Sequence, residues 1–247
     1  MKIQSKINFL KILSVNASLL AIFGCGNSDS GSQDSDDGGN GVLDIALCAP
    51  DRGPFSLEID NEFFPLPVGR TLDLEGQESG VTVHLEFVVT DETEVVNGVT
   101  TRVVTETHSE DGEIVEVSRN FFAQAPDGTV CYYGEEVDNY ENGIVANHNG
   151  SWRAEGPNQG GILMPGSPEL DQEFANESAP GIAEDQAIIV GLGESRTVPA
   201  GTFTNVLHTI DWNPLEGQTS ADGEDKFYAP GLGLIQDSVA VLISSAP

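Results

Sequence analysis

A chain of 247 residues with 40 Asp and Glu against 10 Lys and Arg carries a formal charge of −30, and that balance excludes a polyanion-binding face. Nucleic-acid affinity rests on Lys and Arg neutralising phosphates, so no nucleic-acid partner is expected, and anionic lipid headgroups are repelled in the same way. The acids spread along the whole chain instead of clustering with ligand spacing. Solubility is therefore the plain reading of the charge, and Ca²⁺ held through grouped carboxylates is the competing one.

Lys2, Lys6 and Lys11 open the chain without an acid among them, and the stretch from Ile12 to Phe23 is mostly apolar. These are the charged and hydrophobic regions of an export signal. A membrane-spanning helix needs about 20 apolar residues, more than Lys11, Asn16 and the stop at Cys25 leave. Ile22-Phe23-Gly24-Cys25 resembles the bacterial lipobox, with an aliphatic residue three before the cysteine and a small one directly before it. The resemblance implies removal of residues 1–24 as a lipoprotein signal peptide and acylation of Cys25. Gly26 stands where inner-membrane lipoproteins carry Asp, which implies outer-membrane anchoring in a Gram-negative envelope. Cleavage removes three lysines and no acid, taking the formal charge to −33. Residues 25–41 are dominated by Gly, Ser, Asp, Asn and Gln, too poor in apolar groups to fold, and read as a flexible acidic tether.

Residues 42–247 read as a single β domain. With Cys25 acylated, Cys48 and Cys131 form an even pair in an oxidising compartment, and a disulfide between them is expected. Val81, Val83, Leu85 and Phe87 alternate with polar residues, a period-two strand signal. Val95-Val96-Asn97-Gly98-Val99 predicts a hairpin, and Ser109-Glu110-Asp111-Gly112, Ala125-Pro126-Asp127-Gly128 and Glu141-Asn142-Gly143 repeat the cue. Residues 195–211 and 226–243 supply the closing strands. The fold class is all-β: an antiparallel meander curled into a barrel or half-barrel, which removes exposed edges. The Gly- and Pro-rich residues 155–180 read as one long loop across a barrel mouth.

Catalytic machinery is sparse. No Gly-x-Ser-x-Gly elbow occurs, and the four histidines show no His-x-x-x-His spacing. His84 and Glu86 share a strand face, and His208 would join them as a zinc or copper site if late strands closed on early ones. Glu135, Glu136, Asp138 and Glu141 form the densest carboxylate cluster, but Tyr140 interrupts the Ca²⁺-loop pattern, leaving a looser hairpin cation site as the functional reading and a solvated turn as the plain one. Glu184-Asp185 is a second acidic pair, in a loop. Tyr132, Tyr133, Trp152, Trp212, Phe227 and Tyr228 are candidates to line a ligand groove, with core packing as the alternative.

Asn120-Phe121-Phe122-Ala123-Gln124 through Asp127-Gly128 to Val130-Cys131-Tyr132-Tyr133-Gly134-Glu135, Gly150-Ser151-Trp152, Val198-Pro199-Ala200-Gly201-Thr202-Phe203 and Lys226-Phe227-Tyr228-Ala229-Pro230-Gly231-Leu232-Gly233-Leu234-Ile235 together resemble an uncharacterised family of bacterial secreted proteins and lipoproteins. The resemblance implies a β-sheet protein of the envelope and transfers no catalytic residue. Many of those proteins carry Trp where this chain has Cys131. The leading expectation is a non-enzymatic, outer-membrane-anchored lipoprotein binding an apolar small molecule or an envelope protein. A metal-dependent or hydrolytic enzyme and a calcium-dependent acidic surface protein are the rivals.

Overall fold

A computed structural model describes residues 41–247; the segment expected as a signal peptide (1–24), Cys25 and all but the last residue of the expected tether (25–41) lie outside the described residues. Fourteen strands follow in chain order: β1 (Thr71–Glu78), β2 (Val81–Val96), β3 (Val99–Glu110), β4 (Glu113–Gln124), β5 (Val130–Glu141), β6 (Ile144–Asn147), β7 (Trp152–Arg153), β8 (Gly161–Met164), β9 (Glu173–Ala175), β10 (Gln186–Val198), β11 (Gly201–Trp212), β12 (Glu224–Ala229), β13 (Gly233–Asp237) and β14 (Ala240–Ala246). The helical segments among the described residues are three short 3-10 turns.

Local chemistry sets the hairpins. A two-residue turn that matches strand twist needs positive φ at both central residues, where Asn, Asp and Gly are tolerated. Asn97-Gly98 (49° and 82°), Asp111-Gly112 (49° and 83°) and Asn142-Gly143 (55° and 75°) adopt it, joining β2 to β3, β3 to β4 and β5 to β6 as expected. Ser79-Gly80 makes the same turn between β1 and β2 with a less telling first residue.

All strands belong to one sheet in the order β6-β5-β4-β3-β2-β1-β14-β13-β12-β11-β10-β9, with β7 and β8 added on β5. The two meanders meet where β1 pairs with β14, Leu74 opposite Leu242. The sheet curls without closing into a barrel. Residues 155–180, expected as one loop, contribute β8 to one arm and β9 to the other, and an isolated bridge joins Gln159 to Ser178 between them. A Cβ at Gly161 would collide with the Asn176 carbonyl, so this near-contact of the arms requires glycine.

The segment that crosses an end of the curl is residues 55–68. Ser56 exchanges backbone hydrogen bonds with Gln124 at the end of β4, and Glu62 accepts from Gly231 in the turn between β12 and β13. Phe64 packs edge-on against Phe122 of β4 and Tyr228 of β12, strands from opposite arms. Asn61 pins the segment: its Nδ2 donates to Gly128 O and Pro165 O, and its Oδ1 accepts from Phe63 N and Phe64 N. Just before it, Cys48 is disulfide-bonded to Cys131, Cα–Cα 5.5 Å, with both residues fully buried. The bond fastens the first described segment to β5, near the end of one arm.

Candidate functional site

The aromatic candidates are core. Tyr132 and Tyr133 are fully buried, and Trp152, Phe227, Tyr228 and Trp212 nearly so. Tyr132 stacks on Phe122 at 4.8 Å and meets Trp152 edge-on at 5.3 Å, while its hydroxyl donates to Asn120 Oδ1 at 2.7 Å. The Tyr133 hydroxyl donates to the Cys48 carbonyl. Phe227 lies between His208 and the Arg196 guanidinium. Packing, not an open groove, occupies these side chains.

The metal-ligand candidates stand apart. His84 and Glu86 are on β2 and His208 on β11, with β1, β14, β13 and β12 between them in the sheet. His84 lies 3.7 Å from Asp73, His208 lies 2.7 Å from Asp225 and 3.6 Å from Glu194, and Glu86 is exposed. In the hairpin, strand alternation divides the carboxylates. Glu135 is 1% exposed, whereas Glu136 pairs outside with Arg119 and Arg153 at 2.6 and 2.9 Å. Asp138 pairs with His148, and Glu141 is exposed beside the turn. Among the described residues, no group of three or more His, Cys, Asp or Glu is placed to hold a metal ion.

Sequence reasoning missed the interior. Residues opposite one another in a ladder share a face, so the register sets Val104, Asn120, Glu135 and Trp152 in one inward row and Glu106 with Ser118 in the next. On the other arm Lys226 stands between Thr209 and Asp237. A bulge in β5, where Asn120 faces Glu135 but Phe122 faces Tyr132, turns both Tyr132 and Glu135 inward. Glu177 and Asp185, from the connection between β9 and β10, complete a buried polar chamber.

Its charges are unevenly matched. Lys226 Nζ is 3.3 Å from Asp211 Oδ2 and 4.0 Å from Asp237 Oδ2. Burial opposes the ammonium, but Asp237 and Asp211 outweigh it and hold Lys226 well above its ordinary range. Burial pushes Asp237 up to about 8, against the pull of Lys226. Burial likewise raises Asp185 to about 7 and lifts Glu106, Glu135 and Glu177 well above the carboxylate range. Repulsion among the carboxylates adds to the rise, with Glu177 the strongest charge on Glu135. Both Glu135 oxygens, Asp185 Oδ1 and Asn176 Oδ1 are buried without a hydrogen-bond partner.

An accessible concavity lies elsewhere. A groove of about 450 Å³ runs beneath residues 57–68, walled by Leu57, Ile59, Pro65, Leu66 and Val68, with Arg102 of β3 in its lining. Arg102 Nη1 donates to Thr90 O and Glu92 O at 3.4 Å each, and its Nε is buried without an acceptor. No carboxylate pairs with Arg102 among the described residues, although Glu58 and Asp60 stand exposed in the same lining. No family model, no curated protein and no solved structure matches this chain.

Proposed function

We propose that the protein is a lipoprotein of the outer membrane, anchored through Cys25, that binds an amphiphile with an apolar tail and a single carboxylate head in the groove under residues 57–68. The observation that carries the reading is the pairing, in one groove, of an aliphatic wall with a guanidinium that has no carboxylate partner among the described residues. Its volume lies within the range of small-molecule sites. The tail supplies most of the affinity, at about 0.8 kcal/mol per buried methylene. A charge-assisted hydrogen bond to Arg102 adds about 1.5–3 kcal/mol, and after association losses micromolar binding is the scale expected. The exposed acids Glu58 and Asp60 disfavour heads of higher negative charge.

A fluorescent fatty-acid analogue should bind the protein saturably, be displaced by an unlabelled fatty acid, and bind several-fold more weakly to Leu66→Asn, which puts an amide into the apolar wall. Non-saturable uptake, or equal binding by the variant, contradicts the reading.

A further inference from the structure

The interior chamber raises a question separate from the groove. Around Asp211 and Asp237 it contains its own ammonium, Lys226. Around Glu135, Glu177 and Asp185 the strongest charges acting on Glu135 are all carboxylates: Glu177, Glu116, Glu106 and Asp185. Four acceptor oxygens, two on Glu135 and one each on Asp185 and Asn176, have no donor. Buried acceptors in native structures almost always find one. The Tyr132 hydroxyl lies within reach of Glu135 but gives its one proton to Asn120 Oδ1 at 2.7 Å, and the other donors turn elsewhere. Trp152 Nε1 donates to Glu177 Oε1 at 3.3 Å, and Asn176 Nδ2 turns to Asp211 Oδ2 at 3.4 Å. A second cavity, about 230 Å³, opens against this half of the chamber, lined by Glu177 and Glu184 with Ala175 and Pro180 beside them. Glu184 is itself fixed, accepting from Gly181 N at 2.8 Å.

We infer that Glu177, with Glu135, Asp185 and Asn176 behind it, forms a binding site for a small primary alkylammonium entering through the cavity beside Glu184. The group matches on three counts. It carries three N–H donors for a set of acceptors that lack them. It adds to the positive charge of Lys226, whose pull on Asp185 and Glu177 is smaller than the effect of their burial. Its alkyl stem suits the Ala175 and Pro180 wall. A metal ion is the weaker fit, since no three of these donors are arranged to close on one among the described residues.

The indole N–H of Trp152 reports on the site because it donates to Glu177. The chain has two tryptophans, so Trp212 serves as the internal control in a ¹H–¹⁵N spectrum of the full chain. Ethylammonium, tetramethylammonium and sodium chlorides are titrated at constant ionic strength. Ethylammonium should shift the Trp152 signal saturably and leave Trp212 in place, and tetramethylammonium, with no N–H, and sodium should do neither. Glu177→Gln and Glu135→Gln should each weaken the ethylammonium response about tenfold or more, the scale of a lost charge-assisted hydrogen bond. The same shift from all three cations, or no shift from any, overturns the assignment in the wild-type protein alone, whatever the variants do. An unchanged titration in both variants overturns it as well.

Discussion

Glu135 and Glu136 are sequence neighbours on opposite faces of β5. Glu136 accepts from Arg119 at 2.6 Å and Arg153 at 2.9 Å on the outer face, while Glu135 lies 1% exposed inside the curl with neither oxygen hydrogen-bonded. The two should respond oppositely to amide substitution. Glu135→Gln replaces a buried acid with a neutral isostere, and should hold or raise stability at pH 8 by up to about 2 kcal/mol. Glu136→Gln should lose up to about 1 kcal/mol, the scale of partly exposed ion pairs. Urea denaturation of both variants decides it, and a larger loss in Glu135→Gln than in Glu136→Gln contradicts the burial argument.

The same chamber sets a pH dependence. Burial, stronger than the pull of Lys226, carries Asp185 to about 7 and Asp237 to about 8, against an unfolded value of about 3.9. Carboxyls raised on folding contribute stability that is fully present below about pH 4 and is lost as pH rises through the folded values. Thermal midpoints should therefore fall between pH 5 and pH 8.5, with Glu106, Glu135 and Glu177 adding to the fall. Self-repulsion of an acidic chain acts in the same direction, so Asp237→Asn is the control. Its midpoint should fall less steeply than that of the wild type, and a parallel or rising profile would contradict the assignment.

Much of the sheet was legible because its turns are chemical. Asn97-Gly98, Asp111-Gly112 and Asn142-Gly143 announce positive φ, and the even pair Cys48 and Cys131 announced a bond. The pairing of β1 with β14 was not legible, since residues 71–78 and 240–246 meet through the whole fold and not through a turn. The polar chamber escaped for a related reason. Alternation marks Glu106, Lys226 and Asp237 as solvent-facing, and only the curl gives their face a second wall. Glu135 is further hidden by the bulge that resets the alternation of β5. Asp185 was visible as half of an acidic pair, but nothing in its neighbourhood showed that it is buried while Glu184 is not.

The disulfide holds the segment that leads to the groove. Cys48 precedes residues 57–68, and its bond to Cys131 ties that region to β5. Cys48→Ser should lose about 2–5 kcal/mol and lower the thermal midpoint. Non-reducing peptide mapping of protein taken from the periplasm should find the two cysteine peptides joined; free thiols at both positions would refute the bond.

Lipidation is checked independently of the fold. The wild type should fractionate with the outer membrane, and Cys25→Ser should release a soluble protein that no longer incorporates labelled palmitate. A variant that remains membrane-bound would remove the anchor from the proposal.

Whether the groove reads a carboxylate is decided most directly by calorimetric titration with dodecanoate and dodecanol, which share a tail and differ in the head. The wild type should bind both saturably and prefer dodecanoate by about tenfold or more, the scale of one charge-assisted hydrogen bond. Arg102→Gln should retain dodecanol binding and lose the preference. Equal affinity of the wild type for the two ligands, or no saturable binding of either, would contradict the assignment of the groove.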